Sequence, residues 1–262
     1  MRERRPALWL YLLGALIAGF LILPAVITVP MSFSSSPILQ FPPKGLSTRW
    51  YENLFTSHEW RSAAFNSFGV GLVVTVLTSA LGIAAALGMD RVRFRGKSLL
   101  NAFFLGPMLV PIVIVAVGSF SSFSHWRLTG TFLGLVLGHT VLALPFAIVS
   151  VGAGIRQLDR TLERAAQTLG AGPFRTFRTV TFPLLLPNIA VGALFAFITS
   201  WDEVVVSLFL SDPATRTLPV QMFSQLRTNL DPTIAAVATL LTSVTVVLLV
   251  VVMVLGNRRR TA

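Results

Sequence analysis

The sequence predicts an all-α integral membrane protein, a six-helix bundle. Hydrophobic residues make up 54% of the 262 residues, charged residues make up only 12%, and the mean hydropathy is +0.76. A helix needs about 20 mostly apolar residues to cross a bilayer. Six segments meet this requirement: Leu8–Val29, Phe65–Met89, Leu99–Phe120, Thr131–Val151, Pro187–Leu210 and Ile234–Leu255. This composition excludes a soluble domain, and we expect residues 1–262 to form a single transmembrane domain.

The connections between the spans are polar. Residues 32–61 contain several prolines, so we expect an external loop there with a short interfacial helix near Thr48–Phe55. Asp90–Ser98 should be a tight basic turn on the cytoplasmic side, and Ser121–Gly130 and Ser211–Pro232 should be external. The longest remaining connection, residues 152–186, is a polar and basic cytoplasmic loop, and a loop of this length usually has a function of its own.

The basic residues indicate the topology. The net charge is +11, and fifteen of the 21 Lys and Arg residues fall in segments that are cytoplasmic if the N-terminus is inside. They are Arg2, Arg4, Arg5, Arg91, Arg93, Arg95, Lys97, Arg156, Arg160, Arg164, Arg175, Arg178, Arg258, Arg259 and Arg260. Positive residues favour the cytoplasmic side, so both termini should be cytoplasmic. No basic-aromatic module accompanies this charge, so we expect no nucleic-acid partner.

Motifs of enzymes and of metal sites are missing from the sequence. There is no cysteine, which excludes disulfides, thiolate catalysis and Cys-ligated metals. Gly96-Lys97-Ser98 lacks the first glycine of a phosphate-binding loop, and His58-Glu59 lacks the second histidine of a zinc-protease helix. No G-x-S-x-G elbow is present. We therefore expect neither catalysis nor ATP binding by this chain alone, and no bound metal.

The loop at 152–186 has the pattern of an amphipathic helix followed by a turn. Its apolar residues recur at helical spacing, Asp159 can cap the N-terminus, and Gly170 and Gly172-Pro173 should end the helix before a second short one. The apolar stripe consists of Leu158, Leu162, Ala165, Ala166 and Leu169. Two interpretations fit this periodicity: a knob that inserts into a partner's groove, or a helix that lies on the membrane surface.

The same segment resembles the cytoplasmic E-A-A motif of type I ABC importer permeases. Ala165, Ala166 and Gly170 match the motif, and Val180 and Pro183 fall where the family has Ile and Pro. The chain departs from the motif at Arg164, where the family has Glu; the neighbouring Glu163 lies about 100° round the helix. The resemblance implies an ATPase-coupling set made of Glu163, Arg164, Ala165, Ala166, Gly170, Ala171, Gly172 and Pro173.

Further segments are similar to the second permease of spermidine/putrescine-type importers. They are Trp201–Val206, Thr217–Val220 and Asp231–Ala236. This resemblance implies a multi-pass inner-membrane permease for polyamines that pairs with a second permease, an ATPase dimer and an extracytoplasmic binding protein. ATP and Mg would then be held by the ATPase, with no cofactor on this chain. Another small solute, such as an amino-acid derivative, an opine or an organophosphonate, is the alternative substrate.

Two adjacent acids in the fifth span are candidate substrate residues. A carboxylate at the bilayer centre costs about 2.5–3.5 kcal/mol on insertion scales, so neither Asp202 nor Glu203 is expected to be incidental. They point about 100° apart. One, with Asp202 favoured, would line the pathway and attract a cation, while Trp201 packs against the substrate. Alternatively, the acids pair with the partner permease or cap a broken helix, and Trp201 is structural.

His139 lies in the middle of the fourth span. An intramembrane histidine can relay protons, but no acid lies within one turn on the same helix, so we expect a histidine whose hydrogen bonds are satisfied by packing. A stand-alone ion-coupled carrier using Asp202 and His139 is the alternative from another functional class. Such a carrier would need no ATPase-docking loop and usually shows repeat symmetry, which is not evident here.

Overall fold

The computed structural model describes residues 8–92, 94–228 and 231–258, and over these residues it is helical, with no β-strand. The helices are α1 (Leu8–Ser32), α2 (Arg49–Thr56), α3 (His58–Arg91), α4 (Lys97–Leu105), α5 (Ile112–His125), α6 (Phe132–Gln157), α7 (Arg160–Thr168), α8 (Pro173–Thr176), α9 (Phe182–Trp201), α10 (Val205–Leu210), α11 (Leu218–Thr228) and α12 (Thr233–Arg258). The basic residues Arg2, Arg4, Arg5, Arg93, Arg259 and Arg260 lie outside the described residues.

Within the described residues, five helical runs are long and apolar enough to cross a membrane, and a bent helix pair could provide a sixth span. The predicted spans at Leu8–Val29, Phe65–Met89, Thr131–Val151 and Ile234–Leu255 lie in α1, α3, α6 and α12. The all-α fold class is confirmed. The short helix expected at Thr48–Phe55 is also present, as α2.

The predicted third span, Leu99–Phe120, is not one straight helix. A 3₁₀ turn at Gly106–Met108 follows α4, and the chain then bends by 103° before α5 begins. Pro111 precedes α5 with ψ 130°, in extended backbone. Proline has no N–H to donate and disfavours helical backbone in the residue before it, so the helix cannot continue through this point.

The fifth span also differs from the prediction of Pro187–Leu210. Its helix α9 already begins at Phe182, directly after a π-helix at Phe177–Thr181, and ends at Trp201. After three intervening residues, α10 follows as a separate short helix. The predicted loop at 152–186 is consequently mostly helical, because α6 extends to Gln157 and α7, α8 and the π-helix occupy most of the rest.

The described residues fall into two compact units. The first comprises the described residues within 1–61 and 222–244. Within it, α2 is fastened by its aromatic residues: Trp50 Nε1 donates to the carbonyl oxygen of Ser34 at 2.8 Å, and the Tyr51 hydroxyl lies 2.8 Å from Ser32 Oγ. The large apolar side chains of α1 point outward, as expected of a helix whose surroundings are lipid or another subunit.

The second unit comprises the described residues within 62–221 and 245–262, and its main interface is that of α6 packed along α9. Gly192 lets these two helices approach closely, since a Cβ added there would lie 3.2 Å from the Cα of Ala147. Small residues serve this purpose in membranes, where helices associate through close packing. The buried side chains of Val206 and Leu210 tie α10 into the same core. This unit contains all the predicted site residues.

Candidate functional site

Helix α7 begins where the sequence predicts. The Asp159 side chain accepts a hydrogen bond from the backbone N–H of Thr161 at 2.8 Å, which caps the helix. Hydrogen bonds from the side chain and the backbone of Thr161 hold the pKa of Asp159 below its ordinary value. The carboxylate is therefore the form that the cap stabilises.

Gly170 ends α7 in the left-handed conformation, with φ +86°. The N–H of Gly170 donates to the Gln167 carbonyl at 2.9 Å, and the N–H of Ala171 donates to the Ala166 carbonyl at 3.0 Å. These two bonds form a Schellman motif, which satisfies carbonyls that the helix end would leave unpaired. Pro173 then starts α8, so the chain reverses and forms a knob, which we define as residues 159–176.

Two charged residues of α7, Arg160 and Glu163, face inward and form ion pairs with the end of α3. Arg91 Nη2, at the end of α3, lies 2.5 Å from Glu163 Oε1, and Arg160 Nη2 lies 2.6 Å from Asp90 Oδ2. Thr181 Oγ1, in the π-helix, also donates to Glu163. The side of α7 that carries Arg160 and Glu163 therefore packs on the body of the second unit, whereas Arg164 is exposed.

The apolar side chains at the tip of the knob face outward. Leu169 is 89% exposed and Phe174 is 75% exposed, whereas Leu158 packs on the buried cluster around Ile155. Among the predicted coupling residues, those exposed at the surface are Arg164, Ala165, Gly170, Gly172 and Pro173, while Ala166 and Ala171 are half-buried. Glu163 lies on the inner face, with its side chain 15% exposed. Exposed leucine and phenylalanine side chains of this kind are compatible with contact to another protein or to a membrane surface.

A second cluster of polar side chains lies at the break between α9 and α10. Glu203 is buried, and its carboxylate accepts the backbone N–H groups of Val206 at 2.7 Å and Ser207 at 2.8 Å. Its Oε2 also lies 3.5 Å from His139 Nε2. Glu203 thus caps α10, which is the alternative role considered for the acids from the sequence.

His139 has a hydrogen-bond partner for each ring nitrogen. Nδ1 lies 2.8 Å from Ser200 Oγ, and Nε2 lies 2.8 Å from Ser207 Oγ. The expected satisfied packing histidine is confirmed. The sequence did not predict that His139 and Glu203 meet, because the two residues belong to different spans and local spacing relates only residues of one helix. The signal that could have indicated their contact is that each of two apolar spans contains a buried polar side chain that needs a partner.

Asp202 differs from its neighbour. Its side chain is exposed, and no hydrogen bond or ion pair engages its carboxylate among the residues described here. The 20 residues of α9 rise by about 30 Å, close to one hydrocarbon thickness, so Asp202 lies at the opposite end of the span from the knob. Trp201 is 4% exposed and stacks on Phe197 with ring centroids 5.5 Å apart. Trp201 is thus part of the packing that holds the break.

Two cavities lie near the knob. One of about 180 Å³ lies beneath α7, between the paired charges. Another of about 680 Å³ is lined by residues of α3, α4 and α6, with Lys97 and Arg156 among them. Neither includes Asp202. In the described ranges, no group of three or more His, Cys, Asp or Glu side chains is arranged to hold a metal ion.

Comparison with known proteins identifies the family. The model of the family described as "Binding-protein-dependent transport system inner membrane component" matches residues 78–261. The chain belongs to this family. It is a permease subunit of an ABC importer, a multi-pass protein of the inner membrane and not an enzyme.

Curated relatives cover most of the permease. The putrescine transport system permease protein PotI of Escherichia coli K12 is 33% identical over 229 residues, covering 85% of this chain and 81% of PotI. PotC, the spermidine/putrescine transport system permease protein of the same strain, is 29% identical over 234 residues, covering 89% and 88% of the two chains. The trehalose transport system permease protein SugB of Mycobacterium tuberculosis is 31% identical over 224 residues, covering 84% and 81%.

A solved structure shares the permease fold. A chain of a bacterial ABC transporter that imports the acidic polysaccharide alginate matches with a TM-score of 0.73 and 17% identity, covering 96% of this permease and 95% of that chain. The same kind of transporter has also been solved with a periplasmic protein bound to an alginate pentasaccharide. At this identity the likeness concerns the fold.

Proposed function

We propose that this permease imports polyamines, cations of the spermidine and putrescine class. The observation that carries the proposal is the exposed carboxylate of Asp202, which has no partner in the described part of the chain and lies at the break in the fifth span. A fixed anion in a pathway attracts a polycation more strongly than a monovalent cation, because the Coulomb energy scales with charge. The similarity to PotI and PotC supports the same substrate class.

The knob is the proposed contact with the ATPase. Its exposed tip combines Leu169 and Phe174 with two exposed cations, Arg164 and Arg175, and the exposed Arg178 follows directly after the knob. The matching surface is therefore a groove with an apolar base and an acidic rim. ATP and Mg would be bound by the ATPase dimer, whose closure would move the knob and, through it, the spans.

The remaining topology follows from this placement. The excess of basic residues in the knob and in the turn after α3 supports a cytoplasmic location for these elements and for both termini. Asp202, about 30 Å along α9, then lies toward the outer leaflet, where an extracytoplasmic binding protein would deliver substrate. A second permease would cover the exposed side of Asp202 and complete the pathway.

The test is uptake into proteoliposomes that contain the assembled importer with its own binding protein. We expect spermidine and putrescine to stimulate ATP hydrolysis and to accumulate. We expect Asp202→Asn to depress uptake more for a tri- or tetravalent polyamine than for a monovalent amine, with assembly unchanged. Wild-type uptake of polyamine by the Asp202→Asn importer would remove Asp202 from the pathway.

A sugar is the second candidate substrate, favoured by the similarity to SugB. In that case Asp202 would accept hydrogen bonds from hydroxyl groups, as carboxylates in carbohydrate sites do. The same proteoliposomes distinguish the two candidates. Stimulation of ATP hydrolysis by trehalose with no response to polyamines would favour the sugar, and Asp202→Asn would then reduce uptake without any dependence on substrate charge.

A further inference from the structure

Two ion pairs connect the knob to the end of α3 in a crossed pattern. Asp90 and Arg91 are consecutive in the sequence and oppositely charged, and Arg160 and Glu163 lie one turn apart on α7. Asp90 pairs with Arg160, and Arg91 pairs with Glu163. If α7 moved by one turn along α3, like charges would face each other. The pattern therefore fixes the register of the two helices.

Glu163 joins three elements at once. Its carboxylate contacts Arg91 of α3 and accepts the hydroxyl hydrogen of Thr181, which is fully buried in the π-helix immediately before α9. A charge-assisted hydrogen bond in such a sheltered place is stronger than one on an open surface. The second span, the coupling helix α7 and the start of the fifth span thus meet at a single side chain.

The segments on either side of α7 are not helical. Leu158 and Asp159 have extended backbone before α7. After α7 the chain turns at Gly170, which is left-handed, and is extended at Gly172. A push on the exposed tip could therefore displace α7 alone if nothing braced its inner face. The ion pairs supply that brace, and the cavity of about 180 Å³ that they line beneath α7 is large enough to hold water.

We infer that the crossed pairs Asp90–Arg160 and Arg91–Glu163 are a clamp that stays closed throughout the transport cycle and passes motion of α7 to the second and fifth spans. Glu163 is then a positioning residue inside the permease, and the exposed neighbour Arg164 faces the ATPase. This inference rests on the proposed coupling role of the knob.

Charge reversal tests the clamp. Arg91→Glu and Glu163→Arg alone should each lower the substrate transported per ATP hydrolysed by about threefold or more, since paired charges of this kind are energetically coupled. The double variant Arg91→Glu/Glu163→Arg should recover part of the loss, limited by the missing bond to Thr181. Arg95→Glu is the matched control: it makes the same charge change in the same turn, at an exposed arginine with no ion pair in the described part of the chain.

Co-purification of the ATPase separates this inference from the proposed function. The clamp predicts that the single variants still bind the ATPase while transport per ATP falls. Loss of transport per ATP in Arg95→Glu equal to that in Arg91→Glu would overturn the clamp. Failure of the proposed function would appear in a different variant: if the knob does not contact the ATPase, a substitution at the exposed tip residue Leu169 would leave ATPase binding unaltered.

A cross-link decides whether the clamp stays closed. The chain has no cysteine, so the pair Arg91→Cys/Glu163→Cys can be bridged selectively with a short bifunctional thiol reagent in a complex whose other subunits are cysteine-free. Without the cross-link, the double-cysteine variant should transport less substrate per ATP hydrolysed, as the single variants do. The cross-link should restore the substrate transported per ATP to at least about half of the wild-type value. If bridging arrests transport while the ATPase stays bound, the contact must open during the cycle and the inference is wrong.

Discussion

Replacement of Gly170 by alanine isolates the conformational requirement of the knob. Gly170 has φ +86°, and a Cβ added there would meet no atom within 4 Å, so the substitution introduces backbone strain without a clash inside the chain. An L-residue in this left-handed region costs about 1–2 kcal/mol. That cost acts on the Schellman motif at the end of α7, and it should raise the population of the locally opened state about 5- to 30-fold.

Gly172→Ala is the matched control. Gly172 has φ −65° and ψ 168°, a conformation open to any residue, and it also has no atom within 4 Å of an added Cβ. Alanine there should be neutral or stabilise the knob by about 0.4–1 kcal/mol, because it restricts the unfolded chain.

Hydrogen exchange of the α7 and knob amides, measured on the permease without its ATPase, reads this difference directly. We expect faster exchange at Gly170, Ala171 and the last turn of α7 in Gly170→Ala, with unchanged or slower exchange in Gly172→Ala. Equal protection in the two variants, or greater loss in Gly172→Ala, would refute the assignment of a strained C-terminal cap to Gly170.

Other changes test the remaining structural claims. Glu203→Ala should lower the free energy of unfolding by about 1–3 kcal/mol, measured as a lower melting temperature of the complex, because two buried N–H groups lose their acceptor; Asp202→Asn should leave the melting temperature nearly unchanged. Gly192→Ala should destabilise by about 1–3 kcal/mol, since its Cβ would press on Ala147; Gly88→Ala, with no atom within 4 Å, is its control, and equal melting temperatures would contradict the tight α6–α9 contact. The pKa of Asp212 is lowered chiefly by the backbone hydrogen bond from Thr215, so the stability that its carboxylate contributes is fully present above the ordinary pKa of 3.8 and is lost as the pH falls through the lower pKa of the folded state. Protection of the Thr215 amide against hydrogen exchange should therefore fall in that acid range in the wild type. In Asp212→Asn this protection should be independent of pH.

Much of the fold follows from hydropathy alone. Apolar length predicted the spans in α1, α3, α6 and α12, because a helix in lipid needs little more than enough apolar residues. The same criterion was wrong about continuity in the third and fifth spans. A window average counts apolar residues on both sides of Pro111 as one segment, and it cannot detect that Pro111 and the pair Asp202-Glu203 stand where helices end.

The site was predictable in part. Local signals were sufficient for the cap at Asp159 and for the turn at Gly170, since both depend on neighbouring residues. The sequence did not predict which face of α7 packs inward, because periodicity identifies an apolar stripe but not the surface against which that stripe packs. Glu163 was expected to act toward the ATPase, and its partner Arg91 lies 72 positions away in the sequence. Its predicted role in coupling stays a prediction.

The central claim is that the outward apolar tip of the knob docks on the ATPase, and Leu169→Glu tests it most directly. The measurement is the affinity of the purified permease pair for its ATPase, with Gln157→Glu, an equal charge change at an exposed residue at the end of α6, as the control. We predict that Leu169→Glu weakens binding by about tenfold or more, as expected when an apolar anchor is replaced by a charge, and that Gln157→Glu has little effect. Wild-type affinity in Leu169→Glu would contradict the account.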